Sequence, residues 1–121
     1  MDDFELEMKQ SFLEEAAQLV ADVEQCFLEL ESNPSSAENL NKIFRLAHNL
    51  KGSSKAVGFE EFSAFTHEFE TFILKVKNGE LAASAGVVSL LLRVNDRVSQ
   101  MIDGLRADLG AKFETGDLLT A

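Results

Sequence analysis

The run Ala47-His48-Asn49-Leu50-Lys51-Gly52-Ser53-Ser54-Lys55-Ala56-Val57-Gly58-Phe59 sets one histidine among small and basic residues. The wider segment 39–59 carries Lys42, Arg45, Lys51 and Lys55 and no acidic residue. The chain as a whole has 21 acidic against 11 basic residues and a formal net charge of −10. A local positive field therefore surrounds this histidine inside an acidic chain. An exposed imidazole with an ordinary pKa of about 6.5 is mostly neutral just above pH 7, so its free nitrogen is a nucleophile at physiological pH. A nucleophilic nitrogen in a cationic setting is suited to accepting a phosphoryl group.

The spacing predicts that these groups share one helix flank. At 100° per residue, His48, Lys51, Gly52 and Lys55 recur at steps of three and four, beside the apolar stripe rather than within it. The histidine is then reachable from water. Gly52 costs a helix about 1 kcal/mol relative to alanine, and its missing side chain leaves room for a phosphoryl group or an approaching partner. Lys51 can steer and neutralise phosphate, because an ammonium is a mobile point charge that suits a non-planar anion. Farther on, Thr66-His67-Glu68-Phe69-Glu70 puts His67 and Glu70 three apart on a second flank. In an antiparallel hairpin this flank faces His48. A carboxylate there would accept a hydrogen bond from one ring nitrogen, fix the tautomer and leave the other lone pair pointing outward. Glu70 is the candidate for that orienting role, and His67 is expected to extend the network. Each residue alone reads equally well as an ordinary surface side chain; their joint placement carries the argument.

These groups must be held by helices, since apolar residues recur at helical period almost throughout and proline occurs only at Pro34. The first helix is expected from roughly Asp3 to Glu31, with Phe12, Ala16, Leu19, Val23, Phe27 and Leu30 inward. Ser32-Asn33-Pro34-Ser35 ends it, and Ser35 or Ser36 caps the second helix. That helix buries Leu40, Ile43, Phe44, Ala47, Leu50 and Val57, and Gly58 breaks it. The third carries Phe62, Phe65, Phe69, Phe72, Ile73 and Val76 and closes at Asn78-Gly79. The fourth runs from roughly Ser84 to Leu109, inward through Val87, Leu91, Val94, Val98, Met101, Ile102 and Leu105. Short connections put consecutive helices side by side, so the expected fold is all-α, an antiparallel up-down-up-down four-helix bundle. Ten phenylalanines would fill much of its core. Residues 1–110 make one domain and 111–121 a tail or the start of a linker.

Composition removes other classes. Net negative charge disfavours nucleic acid and anionic membranes as partners. No apolar run reaches membrane-spanning length and the acidic start is unlike a signal peptide, so a cytoplasmic chain is expected. The single Cys26, among Val23, Phe27 and Leu30, reads as a small buried apolar residue. A metal-binding bundle would need two Glu-x-x-His units, whereas the chain has two histidines and an inverted His67-x-x-Glu70. A noncatalytic helical adaptor is the competing class, since a four-helix fold does not specify function.

His48-Asn49-Leu50-Lys51-Gly52, Gly58-Phe59 and Thr66-His67-x-x-Glu70 together resemble the histidine phosphotransfer (HPt) domain of CheA-type chemotaxis kinases. The resemblance runs from roughly Phe4 to Leu109, through Ile43-Phe44-Arg45 and Lys77-Asn78-Gly79-Glu80. It implies that His48 receives phosphate from ATP through a separate kinase catalytic domain and passes it to an aspartate of response-regulator receiver domains. It also implies a polar network of Lys51, His67 and Glu70 around His48. Arg45, Gly52 and Lys55 are the expected docking residues. No Gly-rich phosphate loop is present, so ATP belongs to the kinase domain, the divalent metal to the regulator, and no cofactor to this domain. A free-standing phosphorelay protein is the nearest rival to the first domain of a kinase.

Overall fold

The computed structural model describes residues 2–34 and 36–110, and the expected tail at 111–121 lies outside them. The helices begin where short polar side chains satisfy first-turn N–H groups that have no intrahelical acceptor. Asp2 accepts from the Glu5 N–H at 2.8 Å and opens α1 (Asp3–Ser32). Ser36 accepts from the Asn39 N–H at 3.3 Å and opens α2 (Ala37–Ala56). α3 (Glu60–Lys77) starts without a side-chain cap, and Ser84 caps α4 (Ala85–Ala107) through the Val87 N–H at 3.2 Å.

Two glycines end the helices that flank the candidate site. After α2, Phe59 N–H donates to the Ser54 carbonyl at 2.9 Å and Gly58 N–H to the Lys55 carbonyl at 3.1 Å. After α3, Glu80 N–H donates to the Lys75 carbonyl and Gly79 N–H to the Val76 carbonyl. Both are Schellman closures, whose pivot residue needs a left-handed backbone. Gly58 and Gly79 have φ of +88° and +79°. Gly58 thereby turns α2 into α3 within three residues and makes them an antiparallel hairpin.

α2 packs most extensively on α3, α1 lies between α2 and α4, and α3 meets α4 more sparingly. This is the all-α, four-helix, up-down-up-down arrangement expected. Large rings join the diagonal pair: Phe27 of α1 and Phe69 of α3 stack at 6.3 Å, while Phe12 meets Phe62 edge-on at 5.9 Å. Cys26 is buried and unpaired by disulfide. No helix among the described residues is long and apolar enough to cross a membrane.

Several expectations about packing need correction: Val57, Phe72 and Val87 are only partly buried, and Leu46 and Val88 join the core instead. α1 buries Leu13 and Val20 as well, and Leu19 and Val23 only partly, because a helix with neighbours on two sides needs a wider apolar arc. Phe4 is 70% exposed. Phe12 already lies at the level of Phe59, just past the end of α2, and Phe4 is about 12 Å farther out along α1. Phe44 is half-buried rather than part of the core, for a reason given below.

The two glycines of the His48 helix and its turn make opposite predictions. A Cβ at Gly52 would meet nothing within 4 Å, so Gly52→Ala should stabilise the domain by up to about 1 kcal/mol. A Cβ at Gly58 is also unobstructed by close contacts, yet its positive φ makes Gly58→Ala destabilising by about 1–2 kcal/mol. Urea unfolding of both variants checks the pair, and equal signs would contradict the backbone argument.

Candidate functional site

The register of the α2–α3 hairpin is set by a backbone carbonyl. Lys51 O accepts from Ser63 Oγ across the hairpin at 3.0 Å and from Ser54 Oγ on its own helix at 3.1 Å. Both hydroxyls are buried, where an unbonded polar group would be costly. Helix side chains tilt toward the N-terminus of their own helix. In an antiparallel pair, Lys51 therefore leans back toward His48 while Glu70 leans the opposite way to meet it.

Glu70 joins both residues. Oε2 lies 2.6 Å from His48 Nδ1 and Oε1 accepts from Lys51 Nζ at 2.9 Å. The Glu70 side chain is 13% exposed and that of His48 is 60% exposed, so the carboxylate is the buried base and the imidazole the open tip. Burial is the largest single influence on Glu70 and pushes its pKa up. The hydrogen bonds from Lys51 and His48, with their charges, together outweigh it and hold the carboxyl below its ordinary value. An ionised carboxylate only accepts, so Nδ1 carries the proton, and a neutral ring then has its lone pair on Nε2. Nε2 has no hydrogen-bond partner among the described residues. The arrangement is an exposed imidazole anchored from below, a geometry that suits a nucleophile.

The remaining candidates separate into two groups. Arg45, Gly52 and Lys55 are all exposed on α2 on either side of His48, as expected. His67 is exposed but does not join the hydrogen-bonded set. It lines a neighbouring groove with Lys51, Gly52, Lys55 and Ser63, one turn nearer the Gly58 end. Its side chain lies toward the Gly58 end of the hairpin, whereas Glu70 lies toward His48. The expected His67 extension of the network is thus absent from the geometry.

One neighbour of His48, and the cation that contacts it, do not follow from the sequence pattern. The Phe44 ring lies 6.1 Å from the His48 ring, centroid to centroid, at 19° from parallel. Lys77 Nζ sits 4.4 Å from the Phe44 centroid. The i,i+4 spacing of Phe44 and His48 was the available signal; the apolar period assigned Phe44 to the core instead. Ser63, the cross-hairpin anchor, carried no signal beyond being a polar residue on an apolar face.

The depressed pKa of Glu70 ties the site to stability. Its contribution is fully present above the unfolded glutamate pKa, about 4.3, and is lost as pH falls through the lower folded value. The stability gap between wild type and Glu70→Gln should therefore shrink as pH falls below about 5. Urea unfolding across that range measures it, and a gap that widened on acidification would contradict the assignment.

Residues 7–108 match the family model described as the Hpt domain. The chain is 34% identical over 97 residues to chemotaxis protein CheA of Salmonella typhimurium, covering 80% of this chain and 14% of that protein. It is 34% identical over 118 residues to chemotaxis protein CheA of Halobacterium salinarum, covering 98% and 16% respectively. It thus spans about one-sixth or less of the length of these curated relatives. Among solved structures, the CheA phosphotransferase domain from Thermotoga maritima superposes with a TM-score of 0.74 at 27% identity, covering 82% of this chain and 94% of that one. A four-helix bundle that presents an open, carboxylate-held histidine, matched over nearly all its described length, belongs to the Hpt domain family.

Proposed function

We propose that His48 is the phosphoacceptor of a CheA-type chemotaxis kinase and the phosphodonor to its response regulators. The observation that carries this reading is the Nδ1 contact with Glu70, which in a neutral ring puts the proton on Nδ1 and the lone pair on Nε2, on a side chain that is 60% exposed. In the loading step, the Nε2 lone pair attacks the γ-phosphorus of ATP held by a separate kinase domain. An N–P bond forms as the bond to the ADP oxygen breaks. Positive charge develops on the ring during attack, and the Glu70 carboxylate offsets it through Nδ1–H. In the unloading step, an aspartate oxygen of a receiver domain attacks the same phosphorus, and the electron pair of the N–P bond returns to Nε2.

Lys51 steadies Glu70 rather than the phosphate in this resting geometry, since its ammonium is committed to Oε1. Arg45, Gly52 and Lys55 form the docking surface, with cationic side chains beside a bare helix segment, matching the acidic pocket a receiver presents with its divalent metal. The relatives named above support extending the reading to the whole protein, a cytoplasmic histidine kinase whose ATP site lies in another domain.

The test uses this chain, a CheA-type catalytic domain and labelled ATP, with acid-labile label mapped by residue and a receiver domain then added. Label should appear on His48 and leave on addition of the receiver. His48→Gln should abolish uptake while the helical spectrum and unfolding midpoint persist; retained labelling would refute the assignment. Glu70→Ala should slow uptake on the order of ten- to a hundredfold, the range found when a metal-site histidine loses its carboxylate partner. Partner binding without any phosphate chemistry would favour the adaptor reading instead.

A further inference from the structure

The bond to Glu70 pins the His48 ring at one atom and leaves its plane unsettled. Nδ1 is held at 2.6 Å, yet a ring anchored by a single in-plane contact can still tilt, and the terminal torsion of histidine has broad wells. Tilting swings the Nε2 lone pair through an arc. In-line attack needs that lone pair aimed at phosphorus, so the plane matters as much as the tautomer.

A second constraint stands on α2 itself. Phe44, one turn before His48, presents its ring nearly parallel to the imidazole at 6.1 Å, within the range of offset aromatic contact. Phe44 is half-buried, with one side packed against the core and the rest of its ring at the surface beside His48. Lys77, at the end of α3, supplies a clamp: its ammonium lies 4.4 Å from the Phe44 centroid, well inside cation–π distance. The ring of His48 thus meets a hydrogen bond from α3 and a near-parallel aromatic neighbour from its own helix, and that neighbour is in turn contacted from α3.

We propose that Phe44 is a positioning residue for His48, setting the plane of the imidazole as Glu70 sets its tautomer, and that Lys77 acts through Phe44. Its consequence for rate rests on the phosphotransfer reading; the placement of the ring does not.

Phe44→Leu keeps the side chain apolar and helix-compatible but removes the flat face. It should lower the maximal rate of His48 phosphorylation about tenfold with KM little changed, since misaimed reacting atoms cost rate rather than binding. Phe44→Tyr, which keeps the face, should restore the rate. Lys77→Gln should cost about two- to threefold and nothing further in the Phe44→Leu background, as coupled residues are non-additive. Carbon-13 relaxation of the His48 ring should show lost order in Phe44→Leu and Lys77→Gln, with the Nδ1 proton still on its nitrogen. Unchanged rate and ring order in Phe44→Leu would overturn the proposal, and so would an equal Lys77→Gln loss in both backgrounds. A wild-type domain that takes no phosphate on His48 would end the phosphotransfer reading instead. Ring order in Phe44→Leu would then still uphold or overturn the placement by Phe44.

Discussion

A carboxylate sunk between two helices and held by two cationic or proton-donating groups is the constraint on which this domain's candidate chemistry depends. Glu70 would be poorly tolerated at 13% exposure without Lys51 and His48. Those partners reach it only because Lys51 O and Ser63 Oγ lock the hairpin register. The register in turn needs a turn as tight as the one Gly58 makes at a φ of +88°. A slip of one residue on either helix rotates a side chain by 100° and breaks the set. Backbone geometry, hairpin register and proton location are therefore successive links of one chain of causes.

The bundle core contributes rigidity without taking part in the site. Phe27, Phe62, Phe65 and Phe69 are all fully buried, and the hydrogen-bonded set lies on the outer flank of α2 and α3. Site residues can accordingly be altered without opening the core, which is what makes substitution at His48 informative about chemistry. The two layers meet at Phe44, whose ring is neither core nor solvent-exposed.

Helix boundaries were legible within two or three residues, because caps and helical period act locally. The pairing of His48 with Glu70 was legible as well, since a carboxylate on the facing flank of an antiparallel hairpin suits an imidazole, whereas the spacing assigned Lys51 to phosphate and only the family resemblance placed it in the network with Glu70. What was not legible depended on the third dimension. The wide buried arc of α1 follows from its two neighbours, the exposure of Phe4 from the length of α1 beyond Phe59, and the place of His67 in a neighbouring groove from the way the two helices meet. Phe44 was misassigned because an apolar residue at the edge of a stripe satisfies the period whether it faces the core or a neighbouring ring.

His48 offers a single ring nitrogen, Nε2, beyond the one held by Glu70, on a patch left bare by Gly52. Anything delivering a group to that atom and anything removing it must stand on the same ground, so the two visitors exclude each other in time. In the proposed reading, the domain acts as a courier whose output follows the order of its encounters, and an abundant recipient that lingers on the empty ring competes with the next delivery.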